Sequence, residues 1–102
     1  ESRFEYFSIR YTGKFNVGTK ADFKFRLNSD DGSKLYIDDV LVIDNDGEHS
    51  TQSVTSDSIR LTKGQHTMVL EYYQGPKDKL ALQLFIKKGT GAEAIFNADI
   101  TY

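Results

Sequence analysis

Apolar and polar residues alternate with a two-residue period along much of the chain, which predicts strands with one buried and one wet face. The clearest run is Ala21–Ser29, where Phe23, Phe25 and Leu27 alternate with Lys24, Arg26 and Asn28. Lys34–Asp38 resumes the pattern with Leu35 and Ile37 inward, and Val40–Ile43 follows after a corner at Asp38-Asp39. Thr67–Gln74 sets Met68, Leu70 and Tyr72 against Val69, Glu71 and Tyr73. Leu80–Ile86 sets Leu80, Leu82, Leu84 and Ile86 against Ala81, Gln83 and Phe85, so its even-numbered face is expected in the core. Glu1–Val17, rich in aromatic and β-branched residues around Thr12-Gly13, reads as one bent strand or two short ones. His49–Ser58 is polar and reads as a surface loop or an edge strand, and Ile95–Tyr102 is placed to close the sheet.

Turn residues punctuate these runs at Gly18-Thr19-Lys20, Ser29–Gly32, Asp44–Gly47, Thr62-Lys63-Gly64, Gly75-Pro76 and the two-glycine loop Lys87–Glu93. Gly32 supplies freedom at positive φ, so Ser29–Gly32 is expected to be a hairpin, as is Thr62-Lys63-Gly64. No segment holds a 3.6-residue period beyond ten residues, although Ala92–Asn97 has room for one helical turn. Seven to nine short strands with regular turn signals predict an all-β, antiparallel β-sandwich with jelly-roll-like connections, a single domain over residues 1–102.

Composition narrows the function classes. The chain has 102 residues, seven phenylalanines, six tyrosines, one proline and a net charge of -2. A domain of this size buries roughly 60–70 % of its unfolded surface and needs no staple. Without cysteine there is no disulfide framework and no thiolate metal site. Lysines scattered singly offer no basic stripe for a phosphate backbone, which argues against nucleic acid. No run approaches the roughly 20 apolar residues that cross a bilayer, so membrane insertion is not expected. A charged apolar leader is also absent from the start of the sequence, which leaves the compartment open.

Candidate chemistry concentrates in Asn28–Asp46, where short strands are fenced by acidic corners. The adjacent carboxylates of Asp30 and Asp31 can cap their own backbone in an ordinary β-turn, or share a hard cation that neutralises both. Asp44, Asp46 and Glu48 alternate as loop ligands do, but with Asp44 first, Gly47 falls at four and Thr55 at twelve, which fails the EF-hand spacing. His49 and His66 stand without a paired acid at a diagnostic spacing and read as surface or half-buried residues. Glu48, Asp57 and Glu71 have no partner carboxylate marked by sequence, and no nucleophile elbow, phosphate loop or His-Glu-x-x-His is present, so an enzyme is not expected.

The ordered series FKFRLNSDDGSKLYIDDVLVIDNDGEH, LTKGQHTMVLEYYQG and LALQLFI, spanning about Phe4 to Ile86, resembles the PA14 domain family. Its most specific parts are the Ser29–Gly32 turn followed by Leu35-Tyr36-Ile37-Asp38, the run Leu41–Gly47, and the Lys63-Gly64 turn with the stop at Tyr73-Gln74-Gly75. Members are β-sandwiches of secreted or envelope-facing proteins, among them adhesins, glycosidases and toxins. The chain is shorter than a full family domain, so both a compact subtype and a fragment lacking N-terminal strands stay open.

The resemblance implies a site. In the sugar-binding branch two consecutive aspartates joined by a cis peptide hold calcium, and these map onto Asp30 and Asp31. A side-chain amide from a second loop maps onto Gln74, with backbone carbonyls from about Gly75 to Lys79. Neighbouring sugar hydroxyls complete the coordination, and loop residues Lys77, Asp78 and Lys79 tune which sugar fits. Calcium takes six to eight oxygens in irregular geometry, which suits this donor set, and extracellular modules of the kind bind it at about 10⁻⁴–10⁻³ M. Gln74 departs from the asparagine of the fungal adhesin branch and reaches one methylene further. Without tryptophan, a stacking platform would come from Tyr36, Tyr72 or Tyr73, residues equally suited to packing.

The expectation is therefore a non-catalytic, adhesin-like carbohydrate-binding module, extracellular, cell-surface or periplasmic. The alternative is a structural or protein-interaction domain of an envelope assembly, meeting its partner through edge strands and His49–Ser58.

Overall fold

The computed structural model describes residues 7–30, 32–45, 52–74 and 81–102, with backbone only at 7–9, 30, 52, 73, 74 and 81. Its strands are β1 (Phe7–Val17), β2 (Ala21–Asp30), β3 (Ser33–Ile37), β4 (Val40–Asn45), β5 (Gln52–Thr55), β6 (Ile59–Leu61), β7 (Gly64–Gln74), β8 (Ala81–Lys88) and β9 (Ala94–Ile95). They form two antiparallel sheets, ordered β1-β7-β3-β4 and β5-β2-β8-β9, with β6 also paired to β2. The expected all-β sandwich is thus the fold, and most turns carry the chain from one sheet to the other.

Alternation decides what lies between the sheets. Phe23, Phe25 and Leu27 of β2 are fully buried, facing Phe15, Leu35, Ile37, Ile43 and Met68 of the other sheet. Each such side chain contributes roughly 1.5–3 kcal/mol by leaving water. Aromatic edges lock the centre: the Phe15 ring meets Phe25 at 6.3 Å and Phe96 at 5.4 Å, both T-shaped.

Two turns differ from their sequence reading. Ser29–Gly32 and Thr62–Gly64 are not hairpins: β2 and β3, like β6 and β7, belong to different sheets. The physical reason is that β2 and β3 each carry one apolar face, and stacking the faces buries both, whereas pairing side by side would leave a cover still to be found. The two-residue hairpin is instead Asp38-Asp39, where Ile37 pairs with Val40 and φ is 50° and 67°. Aspartate tolerates this left-handed region better than most residues.

Other segments resolve in the same way. β1 is one unbroken strand, and the Tyr11 ring covers Gly13 so closely that an added Cβ would lie 2.9 Å from it. β5 pairs with β2 as an edge strand, so 52–55 of the polar segment is strand. Between β5 and β6, Ser56 fills the ladder: its N–H donates to the Phe25 carbonyl at 2.7 Å and its Oγ accepts from Phe25 N–H at 3.0 Å. Ala92–Asn97 forms no helical turn but the short strand β9, because Phe96 must extend to reach Phe15 and bonds the Leu84 carbonyl at 2.9 Å. The C-terminal residues tie β1 back to this sheet through Tyr102 N–H on Asn16 O at 2.8 Å. On β8 only Ile86 of the even positions is fully buried, while Leu84 is half-buried and Leu82 is 36 % exposed. The sandwich is open on that side, where Tyr11, Leu84, Ile95 and Ile100 line an apolar groove. Leu80 lies outside the described residues.

Candidate functional site

Register brings the ends of six strands, β2, β3, β4, β5, β7 and β8, to one rim. Ser33 pairs with Asn45 on one side and Tyr72 on the other, and Ser29 pairs with Gln52 and Leu82. Beyond them β2 ends at Asp30 opposite Ala81, and β7 runs two residues past Tyr72 to Gln74. The backbones of Asp30 and Gln74 therefore finish at the same end of the sandwich, in different sheets.

Beneath this rim lies a polar tie between the sheets. Ser29 Oγ and Ser33 Oγ are 2.6 Å apart, and Asn45 Nδ2 donates to Ser29 Oγ at 3.2 Å and to the Leu27 carbonyl at 3.4 Å. All three residues are buried. Hydrogen bonds in so dry a place fix the crossing turn on both flanks.

Of the residues assigned by resemblance, Asp30 and Gln74 are placed by backbone at this rim, while Asp31, Gly75, Lys77, Asp78 and Lys79 lie outside the described residues. Asp46 and Glu48 do too, and Asp44 is an exposed residue of β4. Among the described residues no group of three or more His, Asp or Glu could hold a metal ion. Of the tyrosines, Tyr72 is 1 % exposed and belongs to the core, whereas Tyr36 lies half-buried on the outer face of the four-stranded sheet.

His66 departs from its sequence reading. It is 7 % exposed, packs against Phe15 at 5.8 Å between centroids, and has an acid: Nδ1 lies 2.6 Å from Asp38 Oδ2 and Nε2 2.7 Å from the Thr62 carbonyl. Both neighbours are acceptors, so only the imidazolium, donating from both nitrogens, satisfies the site. Burial alone would lower the His66 pKa, but the Thr62 carbonyl, the Asp38 hydrogen bond and the Asp38 charge outweigh it and push the value up. Asp38 in turn takes Thr67 N–H on Oδ1 at 3.0 Å, and its own N–H donates to Thr67 O at 3.0 Å. The pair clamps the β3–β4 turn onto β7, a positioning role with no nucleophile. The acid stands 28 residues away, and no local spacing could have revealed it.

At the surface, Arg26 holds Glu93 in a fork with contacts of 3.0 and 2.9 Å and stacks 4.0 Å over Phe85. The Arg26 hydrogen bond, helped by the Arg26 and Lys87 charges, lowers the Glu93 pKa against the opposing effect of burial. Arg60 lowers that of Asp22 in the same manner. No helix among the described residues is long and apolar enough to cross a membrane.

The family model described as "PA14 domain" matches residues 2–97, a longer stretch than the motifs alone delimit. The anti-sigma-I factor RsgI3 of Acetivibrio thermocellus is 33 % identical over 97 residues, which are 92 % of this chain and 15 % of that protein. A solved anti-sigma factor domain-containing protein superposes with a TM-score of 0.81 at 27 % identity, covering 93 % of this chain and 33 % of the other. The PA14 sugar-binding domain of an RTX adhesin superposes at 0.74 with 20 % identity, covering 90 % and 52 %, a likeness of fold. The chain thus spans about a seventh of the curated relative it matches.

Proposed function

The chain belongs to the PA14 domain family, and from that premise we propose that it is a non-catalytic carbohydrate-binding module whose ligand site is the rim at Asp30, Asp31 and Gln74. The observation that supports this reading is that the β2 backbone ends at Asp30 and the β7 backbone at Gln74 on the same end of the sandwich. Calcium, when bound there, supplies open coordination positions for neighbouring hydroxyls. The chain's own part is to present the oxygens of Asp30 and Asp31 from one sheet and Gln74 and the carbonyls from about Gly75 to Lys79 from the other. Lys77, Asp78 and Lys79 then select among sugars. Such a module works on the extracellular, cell-surface or periplasmic side. The relation to an anti-sigma-I factor supports a regulatory parent protein in place of an adhesin.

The test is a melting curve with and without calcium. At about 10 mM calcium and a Kd of about 1 mM, linkage adds about 1.4 kcal/mol and raises Tm by roughly 5–10 °C. Asp31→Asn should abolish that rise together with glycan-array binding. No rise, and glycan binding indifferent to Asp31→Asn, would sink the reading.

A second reading, a protein-interaction domain in a surface assembly, is favoured by the apolar groove, in which Tyr11 is 50 % exposed, Ile95 66 % and Ile100 47 %. It expects a partner recovered from envelope extract by the wild type and lost with Ile95→Asp.

A further inference from the structure

Between the buried Phe23, Phe25 and Leu27, β2 turns Asp22, Lys24, Arg26 and Asn28 to the outer face of the five-stranded sheet. Three of these four have partners. Asp22 accepts from Arg60 at 2.6 Å, and Arg26 donates to Glu93 and to Ser53 Oγ, each at 2.9 Å. Asn28 donates to Gln83 Oε1 at 3.1 Å and accepts from Ser53 at 3.0 Å. Lys24 is the exception. Its cross-strand partner on β8 is Lys87, both are exposed, and among the described residues neither makes a hydrogen bond or an ion pair. Residues so paired have Cβ atoms about 4.5–5.5 Å apart, and like charges placed there destabilise a sheet. The neighbouring carboxylates of this face are committed to arginine forks, Asp22 to Arg60 and Glu93, next along the row from Lys87, to Arg26.

We propose that Lys24 and Lys87 together seat the anionic groups of an acidic polysaccharide, a uronate or sulfated chain lying along the outer face of this sheet. A carboxylate or sulfate set between the two ammonium groups accepts from both, which turns a repulsion into two charge-assisted hydrogen bonds. The same face suits sugar hydroxyls. Ser53, Asn28 and Gln83 form one row across three strands, four residues along β2 from Lys24 or about 13 Å away, and their mutual bonds hold them in one orientation. Gln83 uses only its carbonyl oxygen in that row, so its amide N–H groups are left for a ligand. Other polyanions fit less well. Two lysines neutralise two phosphates at most, and the Phe85 ring that would stack a base already carries Arg26 at 4.0 Å. They also fall short of the about four to eight cations that hold a protein segment to anionic lipid.

The inference rests on the carbohydrate reading but not on the rim or on calcium, so its test is run in excess EDTA. The chain is passed by affinity electrophoresis through gels holding polygalacturonate, fully methyl-esterified polygalacturonate or dextran sulfate, each compared with a polymer-free gel. Retardation by polygalacturonate or dextran sulfate and none by the uncharged ester is expected, and Asp31→Asn should leave it unchanged. Lys24→Gln and Lys87→Gln should each weaken binding about two- to fivefold and together about tenfold. Lys14→Gln combined with Lys63→Gln removes the same charge elsewhere and should leave binding intact. Because Lys24→Gln relieves a repulsion, it should not lower Tm, which separates weaker binding from unfolding. Retardation by the ester equal to that by the acid, equal losses in the two double variants, or no retardation by either charged polymer overturns this inference alone. So does wild-type binding to duplex DNA or phosphatidylglycerol vesicles with both polysaccharides ignored. No glycan bound, neutral or acidic, with or without calcium, overturns it together with the proposed function.

Discussion

Replacing Asp38 by Asn removes the charge that holds His66 and leaves a single oxygen where two accept, one from His66 and one from Thr67 N–H. Asparagine accepts the left-handed backbone at φ 50° as readily as aspartate, so the turn itself is spared. What changes is the acceptor 2.6 Å from Nδ1, from a carboxylate to a neutral amide. His66 is 7 % exposed, so solvent does little to replace the lost interaction, and a charge-assisted hydrogen bond in such a place is worth about 1.5–3 kcal/mol. The sign with pH follows from the upward shift of the His66 pKa. The unfolded imidazole titrates near 6.5, so the stabilisation is complete below that pH and is lost as pH rises through the higher folded value, with a slope of at most about 1.4 kcal/mol per pH unit. With His49→Gln as background, His66 is the one imidazole left. Urea unfolding from pH 5.5 to 9 should show the midpoint falling above neutrality, and Asp38→Asn should lower it near pH 6 by on the order of 1 M and flatten the slope. A midpoint constant between pH 6 and 9, or an Asp38→Asn variant that keeps the wild-type slope, would refute the imidazolium assignment.

Two further outcomes follow from the turns at either end of β3. Ser33→Ala removes the partner 2.6 Å from Ser29 Oγ inside a dry cluster and should cost about 1–3 kcal/mol in a denaturant titration. Asp39→Gly places the residue suited to φ 67° at the second hairpin position and should raise stability by up to about 1 kcal/mol in the same assay.

The sandwich was legible because Phe23, Phe25 and Leu27 alternate so cleanly that one burial pattern satisfies them. Pairing partners were not. Glycine and aspartate mark where a strand stops, but whether the chain then folds back or crosses over depends on apolar faces far away in sequence, as at Ser29–Gly32. Leu82 shows the same limit: its alternation is perfect, yet it is 36 % exposed. At the candidate site, sequence named the acids through family likeness, and register supplied what likeness lacked, namely that β2 and β7 end together. His66 was misjudged because its acid comes from another strand pair.

β1 lies at the margin of its sheet, and its antiparallel ladder runs along β7, from Phe7 opposite Gln74 to Val17 opposite Gly64. These partners are roughly 50–70 residues apart in the chain, so this closure is a slow, long-loop event in folding. At ribosomal speeds of about 5–20 residues per second, the nascent Phe15 waits several seconds for the strand that will shelter it. Until β7 emerges this segment is an unpaired strand rich in aromatic and β-branched residues, the kind of edge that invites aggregation, and Arg10 and Lys14 place charge along it.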